Sequence, residues 1–304
     1  MVEIRRILCP IDFSDFSRRA LDHALGIARW YRSTVTALHV FSAAPVATFG
    51  PGPVVFEPIV LTAGDREQLL ADTKAFIAAE SAPGIAIEAV IREGNVAAEI
   101  LEQANTMGAD LLAIGTHGRS GFERLVLGSV AEKVLRKARC PVLTIPGRLP
   151  DAVPAGPVLF KQIVCAVDFS ECSMHALKYA LSLAQEADGR LTVVHVLTPD
   201  LVAQVGIGEE HVSVAELQRH QEAAAIRLLE EAVPENAKVY CKPESMLLRG
   251  KPWREILRVA SERQAELIVM GVQGRGAADL LLFGSTTHHV VRQAECPVLT
   301  LRAT

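Results

Sequence analysis

The chemistry this chain could do is concentrated in two glycine-rich runs and two aspartates. From Gly115 to Val130 the sequence reads GTHGRSGFERLVLGSV, and from Gly271 to Thr286 it reads GVQGRGAADLLLFGST. Both keep one spacing: glycine, two residues, glycine, nine residues, then Gly-Ser. That spacing sets Gly115, Gly118, Gly128 and Ser129 against Gly271, Gly274, Gly284 and Ser285. Glycines at the end of a strand let the backbone turn sharply and let a ligand approach the amides. Successive free N–H groups followed by a helix start make an anion-binding nest. Ser129 and Ser285 could donate to a phosphate oxygen or ligate a magnesium ion held between phosphates, with Val130 and Thr286 next in the same turn. No lysine lies between Gly115 and Ala131, so the common Gly-Lys-Ser/Thr phosphate loop is absent. Arg119 and Arg275 are the matched cations nearest the nest, placed to meet a phosphate or to face solvent.

The second element is Asp12 in PIDFS and Asp168 in AVDFS, each just after an apolar run. A carboxylate there can accept from ribose hydroxyls or a base amino group, as the acidic residue of dinucleotide sites does. The plainer alternative is that it caps the following helix together with Ser14.

The elements that must position these groups occur twice. Every match above shares one offset, the separation of Asp12 from Asp168. The same offset sets TALHV (36–40) on TVVHV (192–196) and CPVLTI (140–145) on CPVLTL (296–301). A period this long is a whole domain, not a solenoid repeat. We therefore expect domains at 1–146 and 161–304, joined by a Pro- and Gly-rich linker at 147–160.

Within the first copy, strands are expected at Ile4–Pro10, Val35–Phe41, Ile85–Ile91, Asp110–Gly115 and Val142–Ile145. Helices are expected at Asp15–Arg32, Asp65–Glu80, Val96–Met107 and 122–137. Phe16, Ala20, Ala24, Ile27 and Ala28 form one helical stripe, and Ser14 can cap that helix. Runs such as LLAI and LIVM are apolar on both faces, as strands covered by helices on both sides must be. The expected fold class is α/β: two copies of an open, mostly parallel, Rossmann-like five-stranded sheet with helices on both faces and strand order 3-2-1-4-5. In such sheets ligands sit beyond the carboxyl ends of the strands, where the order reverses. The long segments at 42–64 and 198–214 interrupt the alternation, the first serving as a lid or as a flap that faces a partner.

Composition narrows the field. The 304 residues are 50% hydrophobic, enough for two cores, and the net charge of −4 gives no bulk field to attract nucleic acid. Neither a secretory leader nor a membrane span is expected, and a reducing, cytoplasmic setting is the default. Cys9, Cys165, Cys140 and Cys296 fall in matched positions beside β-prone runs and suit buried thiols. His39 and His195 also match, and packing or a backbone hydrogen bond suits them better than metal binding. His288 and His289 diverge on a helix, which disfavours a zinc clamp. Trp253 suits local packing or a shielded edge of the crevice.

On these residues each half resembles a universal stress protein domain of the ATP-binding subclass, and the whole resembles a tandem universal stress protein. The resemblance implies that Asp12 and Asp168 contact adenosine, beside the backbones around Val40, Val90, Val196 and Met246. It implies that the glycine loops hold ribose and phosphates of ATP or another adenylate, with Mg2+. It further implies pairing through the fifth strands, Pro141–Ile145 and Pro297–Leu301, within the chain or in a homodimer. The second half departs at Gln273 for His117 and at Gly276-Ala277 for Ser120-Gly121, so equal occupancy is not implied. Glu123 and Asp279 are matched acids in the loops, but neither is an evident catalytic base for hydrolysis. The favoured function is an adenylate-binding stress-response regulator with an unknown protein partner. The alternatives are a slow ATPase, a flavin-linked enzyme, which would be yellow, and a scaffold with vestigial pockets.

Overall fold

The computed structural model of the protein describes residues 2–42, 46–48, 55–57, 61–78, 84–117, 127–147, 160–198, 214–241, 243–273 and 283–303. The chain divides into two compact units, one of them Glu3–Gly147 and the other containing Arg148–Thr304.

In the first unit the elements are β1 (Arg6–Ile11), α1 (Asp15–Tyr31), β2 (Thr34–Phe41), β3 (Val46–Thr48), β4 (Val55–Glu57), α2 (Ala63–Ala78), β5 (Ile87–Glu93), α3 (Val96–Met107), β6 (Leu111–Gly115), α4 (Ser129–Lys137) and β7 (Val142–Ile145). The sheet order is β5-β2-β1-β6-β7 and every neighbouring pair is parallel. With the β3–β4 hairpin set aside, this is the order 3-2-1-4-5.

The second unit runs β8 (Gln162–Ala166), α5 (Glu171–Glu186), β9 (Arg190–Leu197), α6 (Val214–Ala232), a 3-10 turn (Glu235–Val239), β10 (Glu244–Arg249), α7 (Pro252–Glu262), β11 (Leu267–Gly271), α8 (Ser285–Gln293) and β12 (Val298–Leu301). Its order, β10-β9-β8-β11-β12, is again parallel throughout. In each unit the crossovers leave the first strand in opposite directions. That reversal opens a crevice beside Ile11 and Gly115 in one unit, and beside Ala166 and Gly271 in the other.

The core follows from the runs read above. Leu111–Ile114 and Leu267–Met270 are buried at every position, which only a sheet covered on both faces allows. Ala20, Ala24, Ile27 and Ala28 turn the α1 stripe inward. Ser14 accepts from Ser17 N–H at 3.2 Å and Ser170 from Ser173 N–H at 3.3 Å, so both first helices start on a side-chain cap. Asn95 does the same for α3, which ends at Gly108 in the left-handed conformation.

Several expectations shift, among them the first strand, which starts at Arg6 rather than Ile4, and the second helix, which starts at Ala63 rather than Asp65. The fourth helix begins at Ser129 rather than 122, because the Gly128 N–H donates to the Thr116 carbonyl at 2.8 Å and ties the chain to the end of β6. Residues 118–126 lie outside the described residues. The third strand spans Ile87–Glu93, two residues later than expected at both ends. The 42–64 segment carries the antiparallel β3–β4 hairpin, whose three-residue strands are too short to show an alternation. Most of the linker and of 198–214 also lies outside the described residues.

Candidate functional site

Asp12 follows the last residue of β1, and its surroundings are built by the three residues behind it. Its Oδ1 accepts from Ser14 N–H at 3.1 Å and from Ser14 Oγ at 2.5 Å. The same Ser14 hydroxyl oxygen caps α1, so the carboxylate is linked through one hydroxyl to the positive end of that helix. Asp168 repeats this with Ser170, at 3.1 and 2.5 Å. The capping engagement and a place in the crevice are therefore compatible. Between aspartate and serine stand Phe13 and Phe169, both at φ 63. A left-handed non-glycine residue costs roughly 1–2 kcal/mol, and for a bulky side chain it is a rare conformation.

The glycines at the ends of β6 and β11 are explained by helix approach. A Cβ on Gly115 would lie 3.1 Å from the Phe16 Cβ and 3.2 Å from the Phe16 carbonyl oxygen. One on Gly271 would lie 2.9 Å from the Cys172 Cβ. Farther on, a Cβ at Gly128 would meet the Thr116 carbonyl at 3.0 Å, and one at Gly284 would meet that of Val272 at 2.9 Å. The amides of Thr116 and Gly128 are spent internally, on Ile145 and Thr116, and those of Val272 and Gly284 on Leu301 and Val272. The donors left for a ligand are thus those of the next helix turn. Gly128 and Gly284 occupy the cap positions of α4 and α8 and offer no side-chain cap. Among the described residues nothing accepts from the amides of Ser129, Val130, Ser285 or Thr286. Uncapped amides plus the helix dipole favour an anion.

Each unit holds a cavity at this end of its sheet. The first, of about 220 Å³, is lined by Asp12, Val40, Gly115, Gly128, Ser129 and Val130 among others. The second, of about 480 Å³, is lined by Asp168, Val196, Gly271, Gly284, Ser285 and Thr286 among others. The structure therefore brings these expected residues together in both halves. Val90 and Met246 do not line the cavities. Val90 pairs with Leu38 within the sheet, and Met246 packs on Val164, Val194 and Val259. Gly118, Arg119, Gly274 and Arg275 lie outside the described residues, as do Glu123 and Asp279.

Some lining residues were not anticipated. Ile100 and Ile114 wall the first cavity, while Ile256, Met270 and Phe283 wall the second. Their signal was available, since strand ends and first helix turns must face the crevice. His117 also lines the first cavity. The Thr116 hydroxyl donates to the Ile145 carbonyl at 3.2 Å, so it accepts from His117 Nδ1–H at 2.9 Å. His117 Nε2 is then an acceptor, buried and without a partner among the described residues.

The remaining reactive groups are held in structural roles. Cys9, Cys140, Cys165 and Cys296 are free thiols. Burial pushes Cys140 up to about 11 and Cys296 up to about 12. Burial raises Cys9 and Cys165 further still. Trp253 stacks on His289 at 4.8 Å with planes 21° apart, and Arg254 lies 5.0 Å from its ring centroid, so the indole ties α7 to α8. Among the described residues no group of three His, Cys, Asp or Glu could hold a metal, and no helix is long and apolar enough to cross a membrane.

The profile of the universal stress protein family matches residues 3–146 and again 159–302. A universal stress protein of Methanocaldococcus jannaschii is 37% identical over 142 residues, covering 46% of this chain and 81% of that one. One from Mycolicibacterium smegmatis is 26% identical over 307 residues, covering 97% of this chain and 96% of its own length. Among solved structures, a universal stress protein from Archaeoglobus fulgidus superposes with TM-score 0.63 at 23% identity, over 99% of this chain and 97% of that one, a likeness of fold.

Proposed function

Since the chain belongs to the universal stress protein family, we propose that it is an adenylate-responsive regulator that binds ATP or a related nucleotide in one or both halves. One observation supports this above others: twice, an uncapped helix start and a fixed aspartate line the same cavity. In this reading the amides of Ser129 and Val130, and of Ser285 and Thr286, take phosphate oxygens. The loops that carry Gly118 and Arg119, and Gly274 and Arg275, would help to hold the ribose and phosphates. Asp12 and Asp168 accept from the ribose or the adenine amino group, and the backbones around Val40 and Val196, which line the two cavities, border the adenosine. Magnesium would arrive with the phosphates, with the Ser129 and Ser285 hydroxyls as candidate ligands.

Binding would bias a surface used by a protein partner by as much as the nucleotide's differential affinity for two states. Domains 1–146 and 161–304, with the linker 147–160, would join through their fifth strands in one chain or between two. The cavity of about 480 Å³ falls in the roughly 300–1,000 Å³ range of small-molecule sites. The cavity of about 220 Å³ falls below it, so the second half has the roomier site. Chromatography of nucleotide released from the purified chain, with calorimetric titration by ATP, tests this reading. It predicts adenylate in the first and saturable uptake in the second; absence of both, or a bound yellow flavin, refutes it.

A further inference from the structure

One imidazole in each half touches the aspartate's turn twice. His39 Nδ1 lies 2.9 Å from the Ile11 carbonyl oxygen, and since a carbonyl only accepts, the nitrogen carries the proton. That carbonyl belongs to the peptide leading into Asp12, whose N–H is held from its other side by Ser17 Oγ at 3.3 Å. The face of the same ring packs on Phe13, with centroids 4.6 Å apart and planes at 37°. The second half repeats each contact. His195 Nδ1 donates to Val167 O at 2.7 Å, Asp168 N–H donates to Ser173 Oγ at 3.2 Å, and Phe169 packs on His195 at 4.6 Å and 40°.

A bulky residue in the left-handed region persists only where its surroundings over-determine it. Arg32, also left-handed, caps the end of α1, where such a conformation is common. Phe13 and Phe169 stand instead between a strand and a helix, where each packs on an imidazole and Phe13 also meets Phe76 edge-on at 5.7 Å. We infer that His39 and His195 are positioning residues for Asp12 and Asp168. Each fixes the peptide before the carboxylate and the left-handed phenylalanine after it, and so sets ligand affinity through the aspartate. This rests on the adenylate reading given above.

The test uses the full chain. His39→Phe with His195→Phe keeps the ring and removes the donor, whereas His39→Asn with His195→Asn keeps a donor and removes the ring. Each pair is made alone and with Asp12→Asn and Asp168→Asn, and titrated with ATP. The expected result is a loss of about tenfold in affinity when the aspartates are present, and under about twofold when they are not, the non-additivity of groups acting as one unit. Additive losses mean that the histidines contact the ligand directly, and unchanged affinity means that they do nothing; either overturns the proposal. If the phenylalanine variants do not fold, the asparagine pair carries the test. The carboxyl carbon resonances of Asp12 and Asp168 in the ligand-free chain separate the two claims. If they move in the histidine variants while the native chain takes up no ATP, the nucleotide reading fails and the clamp stands. If they stay unmoved, the clamp fails whatever the chain binds.

Discussion

Gly271 and Cys172 are packed so closely that a Cβ on the glycine would stand 3.0 Å from the cysteine's carbonyl carbon as well as against its side chain. The end of β11 and the first turn of α5 thus meet backbone to backbone, as do β6 and α1 at Gly115 and Phe16. Gly271→Ala and Gly115→Ala should each destabilise the ligand-free chain by about 1–3 kcal/mol, the range for overpacking a closed contact. Urea unfolding checks this. A variant as stable as the parent would show that these glycines are kept for the ligand instead.

Ser14 and Ser170 each serve a helix and a carboxylate. Ser14→Ala and Ser170→Ala should cost about 1 kcal/mol apiece for the lost cap. They should also weaken adenylate binding, because Asp12 and Asp168 lose both hydroxyl bonds. A loss of stability with unchanged affinity would separate the cap from the site.

His23 lies buried in α1 with its Nδ1 donating to the Arg19 carbonyl at 2.8 Å. Burial pushes its pKa down, the hydrogen bond opposes that, and the Arg19 charge adds to the depression. The unfolded chain, with a value of about 6.5, therefore binds the proton more readily. Stability is full above about pH 6.5 and falls as the pH drops from there toward the depressed folded value. Thermal unfolding of the native chain and of His23→Gln, at about pH 7.5 and about pH 5.5, should show a smaller acid loss in the variant. Equal losses would mean that His23 does not carry the effect.

The thiols make a kinetic prediction, Cys9, Cys165 and Cys296 being buried and Cys140 half-buried. At about pH 8 a thiol near 11, such as Cys140, is ionised in only about one molecule in a thousand. Iodoacetamide should leave Cys9, Cys140, Cys165 and Cys296 unmodified in the folded chain and alkylate them readily in denaturant. Rapid native labelling of Cys9 or Cys165 would contradict their burial.

Much of this was readable in the residues, and the boundary between what was and was not has physical causes. The doubled architecture and the inward stripe of α1 follow from local patterns, and Ser14 as a cap needs only its own neighbours. His39 was expected to pack or to bond the backbone, and it does both. Gly115 and Gly271 were read as turn-makers, but the groups that demand glycine there are Phe16 and Cys172, far away in the chain. The helix expected over 122–137 is described from Ser129, just after the Gly128 N–H that is tethered to the distant Thr116 carbonyl. No propensity would place Phe13 in the left-handed region, where its ring meets His39 on another strand and Phe76 on a later helix.

The most direct measurement of the central claim is amide NMR of the full chain during an ATP titration. The account predicts saturable shifts at Ser129 and Val130, at Ser285 and Thr286, or at both pairs, together with the carboxyl signals of Asp12 or Asp168. Resonances that stay fixed at all these positions through millimolar nucleotide would contradict it.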